Sequence, residues 1–286
     1  MKKETSRGKI FVAYHKPCSV LKKDFIVPIY AGKKCKEDNK DSKTIKEKSS
    51  DFFANIEGDD TGNNISSRNN EFNECTVLYW AWKNVDYKKM DYIGLFQYRR
   101  QLILNDVFDK AKNDSEKKVY KCVHFKKITP KFCNKIGLTE KNILETLDKY
   151  DCIVPYSTDL GAMDITSPYE DWVRKIPGTH VGDLVMLEEL VSVMHPKMKD
   201  AFHEYLNTPK KKMYHIFIAK PNVFEDYCEW LFNILFEIDK KIDSTMYSVN
   251  GKRTIGYLAE ILYGFYFTYM NKTIKIKECG VSFIEK

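Results

Sequence analysis

The chain has 286 residues, 43% of them hydrophobic and 14% aromatic, with 18 Tyr and 17 Phe, which excludes a disordered chain and allows one substantial core. Against 40 Asp and Glu stand 47 Lys and Arg, a formal net charge of +7 drawn largely from lysine clusters at Lys33–Lys48 and Lys110–Lys135. Such clusters suit solvated loops or anionic lipid headgroups; with no helix-turn-helix, zinc-finger or RNA-recognition signature beside them, no nucleic-acid partner is expected.

The apolar stretch Ile10–Tyr14 is shorter than the roughly 7 residues of a secretory signal core. The most lipid-like run, Gly256–Met270, contains Glu260 and falls short of the roughly 20 residues that span a bilayer. It reads as a buried helix. The expected location is therefore cytoplasmic, with peripheral contact to the inner face of an anionic membrane through the lysine clusters. Eight cysteines carry no C-x-x-C pair and no matching histidine spacing, so they read as reduced thiols and no zinc site is expected.

In chain order, "KIFVAY" (9–14) reads as a short buried strand and "IVPIYAG" (26–32) as a second strand or turn. The polar run 33–51 reads as a mobile surface loop. After the turn chemistry of "GDDTGNN" (58–64), Ser66 or Ser67 can cap one helix through to about Asn84, with Phe72, Cys75, Tyr79 and Trp82 on its apolar face. A strand at "YIGLF" (92–96), a Lys-rich segment to about 137, the helix "TEKNILETLDKY" (139–150) and the strand "DCIVPY" (151–156) follow. "HVGDL" (180–184) reads as loop-like. "HIFIAK" (215–220) reads as a strand, and Pro221 opens a helix with a stripe of Phe224, Tyr227, Leu231, Ile234 and Ile238. A helix from about Thr254 to Met270 and an extended "KIKECGVSFIEK" (275–286) close the chain. Alternating helix and strand signals favour an α/β sheet.

Open α/β sheets bind ligands beyond the carboxyl ends of their strands. Tyr14, His15 and Lys16 follow the first strand, Gln97, Tyr98, Arg99 and Arg100 follow "YIGLF", and Tyr214 and His215 lie beside "IFI". Aromatic, imidazole and guanidinium groups suit a nucleotide base and its phosphates. Structural ion pairs for the arginines and a satisfied strand-end histidine are the alternative readings. Neither G-x-G-x-x-G nor G-x-x-x-x-G-K-[ST] is present.

The blocks "VAYHK" (12–16), "IYAGK" (29–33), "DDTGNNISSRN" (59–69), "ECTVLYWAWKN" (74–84), "YIGLFQYRR" (92–100), "YDCIVP" (150–155), "HVGDL" (180–184), "MYHIFIAKPNVFEDYCEWLF" (213–232) and "RTIGYLAEIL" (253–262) cover nearly the whole chain. In this order they resemble a bacterial family, DUF4422, found in capsule, exopolysaccharide and O-antigen gene clusters, whose members are regarded as glycosyltransferases. Gln97 and His215 stand where that family commonly has His and Asn.

The resemblance implies a single GT-A-like (Rossmann-like) α/β domain over 1–286 with a mixed central sheet and a helical C-terminal half. Nucleotide binding is expected from about 9–155 and acceptor binding and catalysis from about 156–286. It implies a transferase moving a hexose from a UDP-sugar to a saccharide or lipid-linked saccharide acceptor. The alternative is a non-catalytic or degenerate carbohydrate- or nucleotide-binding protein of the same fold.

From side-chain chemistry, Tyr14, His15 and Lys16 are expected on the nucleotide with Gln97 and Tyr98, and Arg68, Arg99 and Arg100 on its diphosphate. Tyr214, His215 and Arg253 are expected on the sugar or acceptor. Asp183, ahead of His180 and Glu260, is the expected general base. Gln97 and Arg99 occupy the spacing of the Asp-x-Asp metal motif of metal-dependent GT-A enzymes, and a guanidinium cannot ligate a cation, so no metal cofactor is expected. Asp59, Asp60, Asp106 and Asp109 leave a displaced metal site open.

Overall fold

The computed structural model describes residues 6–38, 51–111, 119–176 and 178–285. Residues 39–50 and 112–118, which hold much of the two lysine clusters and most of the expected mobile loop, lie outside them. In the N-terminal half the strands are β1 (Gly8–Tyr14), β2 (Ile26–Tyr30), β3 (Glu57–Gly58), β4 (Tyr92–Gln97), β5 (Arg100–Leu102) and β6 (Cys122–Phe125). The remainder are β7 (Cys152–Pro155), β8 (Thr158–Asp159), β9 (Lys210–Lys211), β10 (Phe217–Ala219), β11 (Ile276–Cys279) and β12 (Val281–Ile284).

The central sheet runs β3-β2-β1-β4-β10-β7-β11. All neighbours in it are parallel except β10, which is antiparallel to both β4 and β7. A second ladder, β5-β12-β6, branches from β4 through the Gln97↔Arg100 pairing. Strands β10 and β11 thus bring the C-terminal half into the same sheet as the N-terminal half.

Side chains alternate across this sheet with period 2, which sorts them into two cores. Phe11, Ala13, Ile93, Leu95, Phe217 and Ala219 face the helices Cys75–Asn84, Pro221–Asp239 and Thr254–Met270. Ile10, Val12, Tyr92, Phe96 and Ile218 face the opposite layer, which includes Phe132, Ile143 and Leu147. Phe224, Tyr227, Leu231, Ile234 and Ile238 are all buried, as the stripe predicts. Gly94 in β4 has a specific reason to be glycine: a Cβ there would stand 2.6 Å from the Phe217 carbonyl oxygen of β10.

Several local expectations change. The segment Lys33–Asp38 is a helix, not loop. The expected helix through 84 is interrupted: a 3-10 turn at Ser66–Arg68 and a short helix Asn69–Phe72 end at Asn73, whose φ of 50° is left-handed, before the helix Cys75–Asn84. Neither serine caps a helix in the expected way; Ser66 Oγ donates instead to Asp59 Oδ1 at 2.5 Å. "HVGDL" is the start of a 14-residue helix, Val181–Met194, rather than a loop. Helices Pro168–Lys175 and Lys199–Leu206 add to the expected elements.

Two expected ligand contacts are core residues. Tyr14 is fully buried and its hydroxyl accepts the Leu21 N–H at 2.8 Å, so its ring offers no face to a nucleotide base. His215 is fully buried just before β10, its Nε2 2.8 Å from the Tyr227 hydroxyl and its ring 5.0 Å from that of Tyr263, so it cannot touch an acceptor sugar.

Burial pushes the His215 pKa down from 6.5 to about 3. A depressed folded-state pKa stabilises the fold above about pH 6.5, and that contribution is lost as pH falls toward 3, by up to about 1.4 kcal/mol per pH unit. Denaturant unfolding across this window should therefore be less acid-sensitive in His215→Asn than in the native sequence. Coincident profiles for the two proteins would show that His215 is not buried neutral.

Candidate functional site

Because β10 runs against β4, its first residues meet the last residues of β4 at one sheet edge. Gln97 bridges two charges there: its amide nitrogen donates to Glu74 Oε1 at 2.9 Å, and its amide oxygen accepts from Arg100 Nη1 at 2.9 Å. The Arg100 guanidinium lies 4.9 Å from the Tyr214 ring centre and 5.2 Å from that of Phe283. Among the described residues its buried Nε has no hydrogen-bond partner. An amide serves at position 97 because it donates and accepts at once, as a neutral imidazole would.

The Tyr214 N–H donates to Glu260 Oε2 at 3.1 Å, and Glu260 Oε1 is 3.9 Å from Lys211 Nζ. Lys211, almost fully buried on β9, makes its close ion pair with Asp171 at 2.7 Å. Tyr214 and His215 both have left-handed φ, 82° and 39°. Two consecutive non-glycine residues in that region cost of order 1–3 kcal/mol each. The bonds from Tyr214 N to Glu260, from Tyr214 Oη to the Tyr120 carbonyl and between His215 and Tyr227 hold them there.

The site thus carries two acids. The Glu74 side chain keeps 17% of its exposure and that of Glu260 26%. Burial raises the Glu74 pKa, and the Glu260 charge raises it further. Glu260 was an expected base; Glu74 was not singled out, although it is the one acid immediately ahead of the apolar run 75–82. Lys211, Lys212 and Asp171 were also passed over. Lys212, the next residue after Lys211, contacts the Pro155 carbonyl at 3.4 Å, Ser157 Oγ at 3.2 Å and the Glu278 carboxylate.

Beyond β1, a cavity of about 420 Å³ is lined by Lys16, Cys18, Ser19, Tyr98, Arg99 and Glu285. His15 is exposed beside it, its ring edge-on to Tyr98 at 4.8 Å. Arg99 and Arg100 diverge. Arg99 donates from Nε to the Ile284 carbonyl at 2.6 Å and from Nη2 to that of Glu285 at 3.3 Å, which ties the turn after β4 to the end of β12 with two of its five N–H groups.

Of the other expected residues, Arg68, Asp183 and His180 lie apart from this cluster and Arg253 beside it. Arg68 forks onto Asp239 at 2.8 and 3.1 Å, an ion pair to the end of the helix Pro221–Asp239, so the diphosphate role assigned to it does not fit. Asp183 is 4% exposed and both its oxygens accept hydroxyl hydrogens, from Tyr247 at 2.8 Å and Thr254 at 2.8 Å. It ties helices together, and its burial and two hydroxyl partners weigh against it as the base for an acceptor. His180 stacks on Tyr247 at 4.1 Å. Arg253 is exposed and donates to Asn73 Oδ1 at 2.9 Å, one residue from Glu74.

The donor set at the Asp-x-Asp position does not fit a metal: Gln97 is engaged on both sides and Arg99 cannot ligate a cation. Asp59 is fully buried and saturated, accepting from the Gly32 and Lys33 N–H groups, Ser66 and Thr76, while Asp60 pairs with Lys33 at 3.1 Å. Asp106 and Asp109 line a separate cavity of about 190 Å³ with Tyr156 and Glu278. Among the described residues no three His, Cys, Asp or Glu side chains converge as metal ligands. No helix among them is long and apolar enough to cross a membrane.

A solved apo structure of WbbM, a bifunctional glycosyltransferase, matches with a TM-score of 0.83 at 26% identity, over 98% of this chain and 45% of that one. The fold is therefore GT-A-like, as the resemblance implied, and the chain spans less than half the length of that protein. No curated protein matches. The family described as Domain of unknown function (DUF4422) matches residues 9–272, and the chain belongs to it.

Proposed function

We propose that the chain is a sugar-nucleotide-dependent glycosyltransferase, transferring a hexose from a UDP-sugar to a saccharide acceptor in cell-surface polysaccharide assembly. The observation that carries this reading is the meeting of the Glu74–Gln97–Arg100 chain with Tyr214 and Glu260 at one sheet edge. A cation for a leaving diphosphate and a carboxylate for an acceptor hydroxyl thereby both adjoin Tyr214 in a GT-A-like frame.

The nucleotide lies in the cavity beyond β1, against Lys16, Tyr98 and the exposed His15. Arg100 faces the diphosphate, its charge standing in for a metal ion. In an inverting transfer the acceptor oxygen attacks the anomeric carbon as the bond to the β-phosphate oxygen breaks. The bonding pair leaves with the nucleoside diphosphate, and the hydroxyl proton passes to Glu260. Tyr214, through its N–H, and Lys211 hold the Glu260 carboxylate in place. Glu74 sets Gln97 and, through it, Arg100.

The test is nucleoside diphosphate release from a panel of nucleotide sugars, with and without saccharide acceptors. Glu260→Gln should lower kcat by roughly a hundredfold or more while leaving donor affinity intact, the usual contribution of a general base. Asp183→Asn should instead lower thermal stability and leave turnover near the native value; the opposite pattern in the two variants would return the base role to Asp183.

Metal dependence separates the two ways of neutralising the diphosphate. Transfer should persist in EDTA and fall by roughly ten- to a hundredfold in Arg100→Ala, the loss expected from removing one charge-assisted contact to the leaving group. Activity abolished by EDTA and restored by manganese would overturn the assignment to Arg100.

A further inference from the structure

Of the six exposed large apolar side chains among the described residues, Met246, Val249, Val181 and Val173 gather at one tip, while Val185 and Val193 lie further along the helix Val181–Met194. Met246 is 92% and Val249 88% exposed, on the segment between the helices Pro221–Asp239 and Thr254–Met270. Val181 is 48% exposed at the first turn of the helix Val181–Met194. The two segments pack together: His180 stacks on Tyr247, Tyr247 bonds Asp183, and Gly178 lies so close to Ser248 and Gly251 that a Cβ would stand 2.4 Å from Ser248 Oγ and 3.0 Å from the Gly251 nitrogen. Val173, 57% exposed, sits on the adjoining helix, which Trp172 ties to the His180 carbonyl.

The charge around this tip is predominantly positive. Lys175, Lys241 and Lys252 are exposed around it, with Lys240 paired to Glu237. Of the acids nearby, Asp183 is buried under two hydroxyls and Glu170 pairs with Arg174, while Asp243, which accepts the Thr245 N–H, is the exposed acid of the segment. Isolated surface valines need no explanation, but protruding Met and Val ringed by unpaired lysines are complementary to an anionic bilayer: apolar tips for the acyl boundary, cations for the headgroups.

We propose that the surface formed by Val181, Met246 and Val249 with Lys175, Lys241 and Lys252 docks the protein on an anionic lipid bilayer. This differs from the lysine clusters expected from sequence. The segment continues through Lys252 to Arg253, which bonds Asn73 beside Glu74, so docking there sets the Glu74 end of the cluster toward the bilayer. For that consequence alone the inference rests on the transferase reading, since a lipid-linked acceptor would be presented at that height. Vesicle binding itself is independent of any transfer activity.

Cosedimentation with phosphatidylcholine vesicles and with mixed phosphatidylcholine–phosphatidylglycerol vesicles tests it. The native chain should bind the mixed vesicles, less at high salt, and bind neutral vesicles weakly. Met246→Asp with Val249→Asp should lower the partition coefficient by about tenfold or more, and Lys241→Ala with Lys252→Ala by about tenfold. Lys126→Ala with Lys127→Ala should leave it unchanged. All these side chains are exposed, so the thermal midpoint should not move. Failure to bind mixed vesicles, equal binding by the tip variant, or loss of binding only in the Lys126/Lys127 variant would overturn the proposal. So would self-association in the ultracentrifuge, abolished by the tip variant, without vesicle binding, which would make the patch a contact between copies of the chain.

Discussion

The antiparallel entry of β10 between β4 and β7 is the constraint from which the rest of the site follows. A parallel sheet alone would place only strand C-termini at its ligand edge, each followed by a connection leading away. One reversed strand brings the start of β10 to that edge too, which is why Tyr214 can lie under Arg100 and direct its N–H to Glu260. The close approach of the two backbones requires Gly94, and the reversal ahead of β10 is made by two residues with left-handed φ.

Charge at this edge is held by other polar groups rather than by solvent. Buried ion pairs such as Lys211–Asp171 seldom add net stability, because desolvating both partners offsets their attraction, yet removing one partner is strongly destabilising. Their effect here is positional. Lys211 reaches Asp171 on one helix and Glu260 on another, and Gln97 separates the Glu74 carboxylate from the Arg100 guanidinium while bonding both. Groups fixed in this way need little reorganisation when charge develops on a bound ligand.

Periodicity made much of the frame legible. β1, β4, β7 and the helices Pro221–Asp239 and Thr254–Met270 stand close to where apolar runs and the Pro221 start signal place them. The helix Val181–Met194 was missed because Gly182 and Asp183 read as turn chemistry, whereas Asp183 sits in a first helical turn, where an acid favours the dipole. The helix Pro168–Lys175 carried its signals openly, in a Ser167 cap and Pro168 at the first position, and was passed over.

Strand-end position singled out Gln97, Arg100 and Tyr214, which the fold brings together, but could not foresee that Arg99 turns away from Arg100, since only tertiary pairing sends Arg99 to the carbonyls of Ile284 and Glu285. Nor could it separate a cleft histidine from a core one at His215. Glu74 was illegible for a similar reason: the Asn73 reversal that aims it at Gln97 leaves no periodic trace.

Hydrogen–deuterium exchange with and without a UDP-sugar tests most directly the proposal that a sugar nucleotide binds at one edge of the sheet. Amides of the β1 end and Lys16–Val20, of Gln97–Arg100 and of Tyr214–Ile216 should gain protection together, and Arg100→Ala should weaken that protection throughout. Saturating donor that protects none of these segments, or protects instead the face carrying Arg68 and Asp239, would contradict it.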